Sequence, residues 1–558
     1  MTRMRTYPTV LVSVSLAFLM VSQGTSQNNA QTSVDNDEEE TFSRFIDSPE
    51  AQFYSAPGFR APTPMSRIKP VFDMLRSLVS RNPLATSSDE VPAFRSSRFE
   101  VLVNDPNQDL LASSLDISTQ SETAVAGYGD TIVVAFNDSG EAALTAAGSF
   151  MGYSRSTDGG ANFTDLGMVP PFSSSPAQFN NGDPALVVDR SGNFYVAHIG
   201  SDATRPAGFT NVIGIHKSTD GGQTWGPPMY PAAGGVLPNS SQDKDFLAVD
   251  NSGGPFDGSV YVTWTSFQPS PLPPGAITQL PIFFSRSSGG DFSTPIQISP
   301  PGHQNQGSEP AVGPNGEIYV TWFRLSGPPP APGQPPLGRA IMVAKSTDGG
   351  ESFSPAVEVV TPVVPIGFGG LATNGRLFGN FRVNSFPRID VNPVNGDVYI
   401  VYAANPAGPD GADIFFTRST DGGTTWSPPL RVNNDATNND QFFPDIAVNA
   451  QGIIEVAWYD RRLDPQNLRI DVVKARSVNG GLSFLSNQRV TSISSLPAVG
   501  FDPIVNPTYM GDYIDLKAVT TPYGRGLHFL LSWGDFRRVV VTSGGTRPDQ
   551  DVFFTSSR

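Results

Sequence analysis

One short motif recurs along this chain and constrains its fold more than any other feature. Four segments read Ser-Thr-Asp-Gly-Gly, with an aromatic residue after two further positions: Ser156–Phe163, Ser218–Trp225, Ser346–Phe353 and Ser419–Trp426. Two degenerate copies carry Ser288 or Asn479 in place of the aspartate. Asp-Gly-Gly favours a tight turn, because glycine adopts positive φ and the carboxylate accepts nearby backbone hydrogen bonds. We therefore interpret four aspartates as structural turn residues: Asp158, Asp220, Asp348 and Asp421.

The motif belongs to a longer repeat of short strands joined by turns, which is typical of four-stranded sheets in series. Seven such units can be counted, and the last breaks off at Asp551–Arg558, where its motif should begin. Arg98–Asp105 resembles Leu430–Asp435, the strand that follows the fifth motif. The sequence thus predicts an all-β fold over residues 98–558, a single seven-bladed β-propeller whose N-terminal strand completes the last blade. Six blades with a separate hairpin is the alternative.

Composition narrows the class of protein. With 55 Gly and 51 Pro among 558 residues, turns are favoured over helices, and the absence of cysteine excludes disulfides. The formal net charge of −16 argues against non-specific binding to nucleic acid. Arg3 and Arg5 followed by the apolar run Val10–Val21 predict a signal peptide at 1–24, and that run is too short to span a membrane. A flexible acidic and polar spacer is predicted at 25–97. We expect a secreted protein, extracellular or periplasmic, without a membrane span.

The repeated motifs are Asp boxes, and they resemble those of the sialidase (BNR-repeat) superfamily over residues 98–558. The resemblance implies a propeller that binds a carbohydrate or a cell-surface glycoprotein. Sialidases hold the substrate carboxylate with three arginines and use a tyrosine nucleophile, a glutamate that activates it and an aspartate acid/base. The early Arg-Ile-Pro signature of that family is absent before the first box, so these roles are not transferred residue by residue.

Propeller topology selects the candidate site residues. Starts of first strands and ends of second strands converge at the top of the central channel, and blades four to seven carry most of the acids and arginines there. The catalytic candidates are Asp445, Asp460, Asp512 and Tyr509. The candidates for substrate binding are Arg324, Arg388, Arg461, Arg537 and Glu309. Arginine suits bidentate binding of a carboxylate or sulfate, and neighbouring carboxylates suit acid and base roles. The competing interpretation is that these pairs are ionic links between blades.

Two functional hypotheses follow. The first is a sialidase-like glycosidase or a lyase acting on acidic glycans, and the second is a non-catalytic propeller that binds glycan or protein at the cell surface. We expect a monomer without a cofactor. One oxygen-rich loop offers ligands that Ca²⁺ prefers, although a solvated turn explains it as well: Asn433, Asn434, Asp435, Asn438, Asn439 and Asp440.

Overall fold

The structure is a computed structural model that describes most of the chain from residue 100 to residue 557. The residues it leaves out within that range are 109–118, 141–148, 172–179, 202–210, 232–239, 270–276, 330–333, 335–336, 368–374, 407, 503, 520–527 and 543–544. The predicted signal peptide at 1–24 and spacer at 25–97 lie outside the described residues. Across the described ranges, no helix combines the length and apolarity that crossing a bilayer requires.

Seven antiparallel sheets follow one another as the blades of a propeller, which confirms the all-β prediction and excludes the six-bladed alternative. Blade 1 contains Gln120–Tyr128, Thr131–Asp138, Met151–Ser156 and Thr164–Met168. Blade 2 contains Asn180–Val188, Phe194–Ser201 and Asn211–Ser218, with Met229 bridging Ile215 at its outer edge. Blade 3 contains Ser241–Val249, Val260–Pro269, Ile282–Ser287 and Ile296–Gln297, and Ile277–Gln279 also pairs with its second strand.

The remaining blades repeat this order. Blade 4 contains Gln304–Val312, Ile318–Ser326, Ala340–Ser346 and Val357–Val360, and blade 5 contains Arg388–Val391, Val398–Ala404, Asp413–Ser419 and Leu430–Arg431. Blade 6 contains Gln441–Val448, Ile454–Asp460, Asp471–Ser477 and Gln488–Arg489, and blade 7 contains Asp515–Val519, His528–Asp535, Asp551–Ser557 and Val101–Leu102. Among the described residues, two hairpins and one 3-10 turn lie outside the blades: Gly375–Leu377 with Phe381–Val383, Val539–Thr542 with Gly545–Pro548, and Pro106–Gln108.

The ring closes through the first strand, as the sequence predicts. Val101 pairs with Phe554 and Leu102 with Phe553 in an antiparallel register. Asn104 extends this contact, because its Nδ2 donates to Asp551 Oδ1 at 3.0 Å and its Oδ1 accepts the Val552 N–H at 2.8 Å. The outer edge of the last blade is therefore paired rather than left open.

The first strand of each blade is the innermost one. Each inner strand contacts those of the two adjacent blades, and the strands of blades 7 and 1 complete the circle around the channel. Apolar side chains fill the spaces between blades, and Trp322, Trp458 and Trp533 are among the largest that are fully buried. We call the face at which the inner strands begin the top face.

The Ser-Thr-Asp-Gly-Gly turns lie on the opposite, bottom face. In the first of them, Asp158 Oδ1 accepts hydrogen bonds from the Ser156 hydroxyl at 2.8 Å and from the Asn162 N–H at 3.0 Å. These bonds, of which that from the Asn162 side chain has the largest effect, lower the pKa of Asp158 to about 2. The aromatic residue of each turn packs against the preceding blade, as Phe163 does on Phe554 at 5.1 Å between ring centroids. Asp220, Asp348 and Asp421 accept the same kinds of hydrogen bond within their own turns.

Candidate functional site

A bulge recurs near the top of five inner strands, and it places one residue in the left-handed backbone region each time. In blades 1, 2 and 3 that residue is charged: Glu122, Asp183 and Lys244 have φ of 50°, 59° and 56°. Blade 4 has Gly307 there and blade 6 has Phe443. Non-glycine residues rarely adopt positive φ, and such strained positions concentrate at functional sites. The bulges bring three charged residues from consecutive blades to the top of the channel.

Asn137, the penultimate residue of the second strand of blade 1, connects this region. Its Nδ2 donates to Glu122 Oε2 at 3.0 Å and to the Tyr509 hydroxyl at 2.7 Å. Its Oδ1 accepts the backbone N–H of Asp183 at 2.9 Å. The Ser121 hydroxyl adds a hydrogen bond to the Tyr509 oxygen at 3.2 Å. One amide side chain thus fixes the relative positions of an acid, a phenol and a second acid-bearing strand.

Arg382 fixes the other side of Tyr509. Its Nε and Nη2 donate to Asp512 Oδ1 and Oδ2 at 3.1 and 2.6 Å, and its Cζ lies 4.7 Å from the centroid of the Tyr509 ring. Arg382 belongs to the hairpin strand Phe381–Val383, so the hairpin that precedes blade 5 reaches across to the start of blade 7.

Lys244 completes the arrangement from blade 3. Its Nζ lies 3.2 Å from the centroid of the Tyr513 ring and 4.4 Å from that of Phe246, and it has no hydrogen-bond partner among the residues that the structure describes. Within the same described part of the chain, Glu122 Oε1 and both carboxylate oxygens of the neighbouring Asp245 also lack one. Buried polar atoms in this state are uncommon and call for a functional or structural reason. We name as the upper cluster the residues Glu122, Asn137, Asp183, Lys244, Arg382, Tyr509 and Asp512.

Burial changes the protonation of this cluster. Desolvation first, and then the charges of Asp183 and Asp512, raise the pKa of Glu122 well above its usual range. Burial and the Glu122 charge likewise raise the pKa of Tyr509 well above that of free tyrosine. Burial lowers the pKa of Lys244. Glu122 is therefore biased towards its protonated form, which is the state required of a general acid.

A second group of charges lies in the channel below, and we call it the Arg388 ring: Glu309, Arg388, Asp445, Asp515 and Lys517. Arg388 Nε and Nη2 bind Asp445 at 2.9 and 3.0 Å, and Nη2 also lies 3.2 Å from Asp515 Oδ1 and 3.4 Å from Glu309 Oε1. Burial alone would raise the pKa of Asp445, but the positive charges of Arg388 and Lys517 lower that pKa below its usual value.

The carboxylates of the Arg388 ring also join neighbouring blades. Glu309 accepts the Ile389 N–H at 3.0 Å, Asp445 accepts the Leu516 N–H at 2.7 Å, and Asp515 accepts the Val125 N–H at 2.7 Å. The donors belong to the next blade in each case. Three of the residues predicted from sequence, Glu309, Arg388 and Asp445, are therefore engaged in contacts between blades.

The other sequence candidates lie apart from one another. Arg324 binds Gly338 O at 2.8 Å and Glu358 at 2.6 Å, and Arg537 binds Asp535 and Glu100. Asp460 accepts the Trp458 indole N–H at 2.8 Å and pairs with Arg462 at 2.7 Å, and Asp535 forms the corresponding contacts in blade 7. Across the described residues, no partner is shared between any two of the four candidate arginines. Only Tyr509 and Asp512 of the predicted set lie in the upper cluster.

The oxygen-rich loop is engaged by arginines and by other polar side chains. Asp435 lies 3.4 Å from Arg431 and 3.7 Å from Arg462, and Asn433 Nδ2 donates to Asp413 at 2.6 Å. Within the described ranges, no group of three or more acidic or histidine side chains is arranged to hold a metal ion. The Ca²⁺ site stays a prediction.

Asn137, Arg382 and Glu122 were not among the site residues predicted from sequence. Asn137 lies at the end of a second strand, the position that selected Arg324 and Asp460, so the same rule applied to blade 1 finds it. Arg382 lies in a hairpin outside the repeat, and no sequence signal marks it.

Comparisons with known proteins complete the description. No protein-family model matches the chain, and no curated protein matches it. An α-L-arabinofuranosidase from Fusarium graminearum is 14% identical with a TM-score of 0.40, covering 64% of this chain and 92% of that chain. A Hadza microbial sialidase is 13% identical with a TM-score of 0.38, covering 76% of each chain. An ulvan lyase is 11% identical with a TM-score of 0.45, covering 78% of this chain and 93% of that chain. At these values the likeness assigns neither a family nor a function.

Proposed function

We propose that this protein is a glycan-cleaving enzyme whose reaction centre is the upper cluster. The observation that carries the proposal is the pairing of Glu122 and Tyr509 on one amide, Asn137. A proton donor and a phenol are held together at the top of a propeller channel, in surroundings that bias the donor towards its protonated form. Catalytic sites characteristically combine burial, like charges and perturbed pKa values in this way.

The roles follow from the chemistry of glycoside cleavage. Glu122 gives its proton to the bridging oxygen while the bond from the sugar carbon to that oxygen breaks, and the bond's electron pair stays on the leaving oxygen. Water then adds to the carbon and returns a proton to Glu122, which restores the starting state. Tyr509 is the group we place against the reacting carbon, and Asn137 and Arg382 are the residues that position it.

The proposed site differs from the one expected from sequence. We assign the reaction to the cluster formed by blades 7, 1, 2 and 3 with the hairpin strand of Arg382. The Arg388 ring then has a structural role, because its carboxylates link consecutive blades. A non-catalytic glycan-binding propeller is the outcome that the experiment below separates from an enzyme.

The test is turnover on a panel of a fluorogenic sialoside, arabinan and acidic polysaccharides, followed by reducing ends and by unsaturated products. We expect Glu122→Gln to lower kcat by about 10²–10⁴, the usual contribution of general acid catalysis. Tyr509→Phe should lower it as well, and Asp421→Asn, on the bottom face, is the matched control with unchanged turnover. A well-folded wild type that cleaves nothing in the panel would move the assignment to a binding propeller.

Secretion and a monomeric state belong to the same proposal. The basic start and apolar run at the N-terminus support export, and the acidic net charge of −16 favours a protein that remains dispersed. Expression with the native N-terminus should yield a mature chain beginning near residue 25, as read by mass spectrometry. Size-exclusion chromatography with light scattering should give the mass of one chain.

A further inference from the structure

Arg461 is a fully buried arginine near the top of blade 6. It follows the second strand, Ile454–Asp460, and its side chain is 0% exposed. Its guanidinium Cζ lies 4.5 Å from the centroid of the Phe381 ring and 5.7 Å from that of Phe442. The aromatic rings hold the guanidinium plane in place, so its two edges have fixed directions.

The two edges of this guanidinium differ in their contacts. Nη1 donates to Phe378 O at 2.8 Å and to Asn467 O at 2.9 Å, and it lies 3.5 Å from Asp440 Oδ2. Nε and Nη2 have no hydrogen-bond partner in the described part of the chain. These two nitrogens form the edge that binds a carboxylate or another oxyanion through two parallel hydrogen bonds. The Nη1 group anchors the side chain, and the Nε–Nη2 edge is unpaired among the described residues.

A glycine borders the bidentate edge. Gly379 has φ of 101°, and a Cβ added there would lie 3.6 Å from Arg461 Nη2. Gly379 lies in the turn of the hairpin formed by Gly375–Leu377 and Phe381–Val383, next to Phe378, which is 51% exposed. The absence of a side chain at Gly379 leaves space beside Nη2.

The charge of Arg461 is also less compensated than that of the comparable arginines. Carboxylates raise the pKa of Arg388 and of Arg537 above the usual arginine value, against the effect of burial. Burial lowers the pKa of Arg461 to about 10, and the charges of Asp440 and Asp464 only partly oppose it. A buried cation in this state favours binding of an anion.

We propose that the Nε–Nη2 edge of Arg461 binds the carboxylate or sulfate of an acidic sugar in the glycan chain. Phe381 stacks on Arg461 and the next residue, Arg382, belongs to the upper cluster, so one hairpin strand contacts both the anion site and the proposed reaction centre. The site therefore selects a charged sugar of the bound glycan. This inference rests on the proposed function only in naming a glycan as the bearer of the anion.

The test is isothermal titration calorimetry with three tetrasaccharide probes. They are chondroitin sulfate tetrasaccharide after desulfation, after carboxyl reduction, and after both treatments. We expect one charged form to bind the wild type at least tenfold more tightly than the neutral form. Arg461→Lys keeps the charge but loses the planar edge, and it should weaken that binding about tenfold or more. Arg418→Lys on the bottom face is the matched control and should bind like the wild type.

The three probes and the variants distinguish between a carboxylate site, a sulfate site and no anion site. Preference for the desulfated probe identifies a carboxylate, and preference for the carboxyl-reduced probe identifies a sulfate. Equal binding of charged and neutral probes by the wild type overturns the proposal, as does wild-type affinity in Arg461→Lys. Should Arg461→Lys fail to fold, Gly379→Ala keeps the arginine and places a methyl group beside Nη2, and the same loss is expected. Arg461-dependent binding without any turnover would leave this inference standing while refuting the enzyme assignment.

Discussion

The upper cluster and the Arg388 ring contain the same kinds of side chain in one channel, yet they differ in how their hydrogen bonds are completed. In the ring, every carboxylate oxygen of Glu309, Asp445 and Asp515 has a cation or a backbone N–H as partner. In the upper cluster, Glu122 Oε1 and Lys244 Nζ have no hydrogen-bond partner among the described residues, and the backbone of both is left-handed. The ring's one unpaired atom among these side chains is Arg388 Nη1, within the described residues. Fully paired carboxylates indicate a structural role, and an unpaired acid and ammonium group on a strained backbone indicate a functional one.

The largest effect should come from breaking the ring. Arg388→Met leaves three buried carboxylates without their shared cation, and removal of one partner of a buried ion network typically costs about 3–5 kcal/mol. We expect the free energy of unfolding in guanidinium chloride to fall by that amount. An Arg388→Met variant with wild-type stability but no turnover would contradict the division drawn here and restore the role expected from sequence.

A substitution in the upper cluster should instead increase the stability of the protein. Glu122→Gln keeps the acceptor for Asn137 and removes a buried carboxyl whose charged form is penalised, a cost of about 1–3 kcal/mol for a buried unsatisfied group. Because the folded-state pKa of Glu122 is raised, the wild type is most stable below the ordinary glutamate pKa and loses stability as pH rises through the raised value. The variant should therefore become the more stable protein as pH increases. Thermal unfolding between pH 4 and 9 measures the difference, and parallel curves for the two proteins would refute it.

The smallest effect is expected on the bottom face. Hydrogen bonds, first that from the Thr425 side chain, hold the pKa of Asp421 at about 2. The turn therefore contributes fully above the ordinary aspartate pKa and loses that contribution as pH falls towards 2. Asp421→Asn should lose only this acid sensitivity, because Asn479 already forms the equivalent bonds in blade 6. Unfolding temperatures that differ at pH 6 as much as at pH 2.5 would show that the carboxylate is not the cause.

The fold was accessible from sequence because its signals are local and repeated. Seven copies of one strand pattern average out errors in any single strand, and the likeness of Arg98–Asp105 to Leu430–Asp435 identified the closing strand. The site was less accessible, since its residues depend on bulges and on a hairpin outside the repeat. The sequence indicates that Asp183 and Lys244 lie at the starts of strands. It contains no signal for the bulges that orient these two residues towards the channel. Arginine-rich ends such as Trp458–Arg462 drew attention to blades 6 and 7, where the structure pairs Asp460 with Arg462.

Ring closure has a consequence for how the chain is made. Asn104 and Asp551, which meet in the last blade, are 447 positions apart in sequence. At about 5–20 residues per second, a ribosome needs roughly 20–90 s to pass from one to the other. Throughout that interval the first strand has no edge to pair with and the growing propeller is an open arc. A folding factor that holds such an arc, or export before folding, would protect it from aggregation until the final blade is complete.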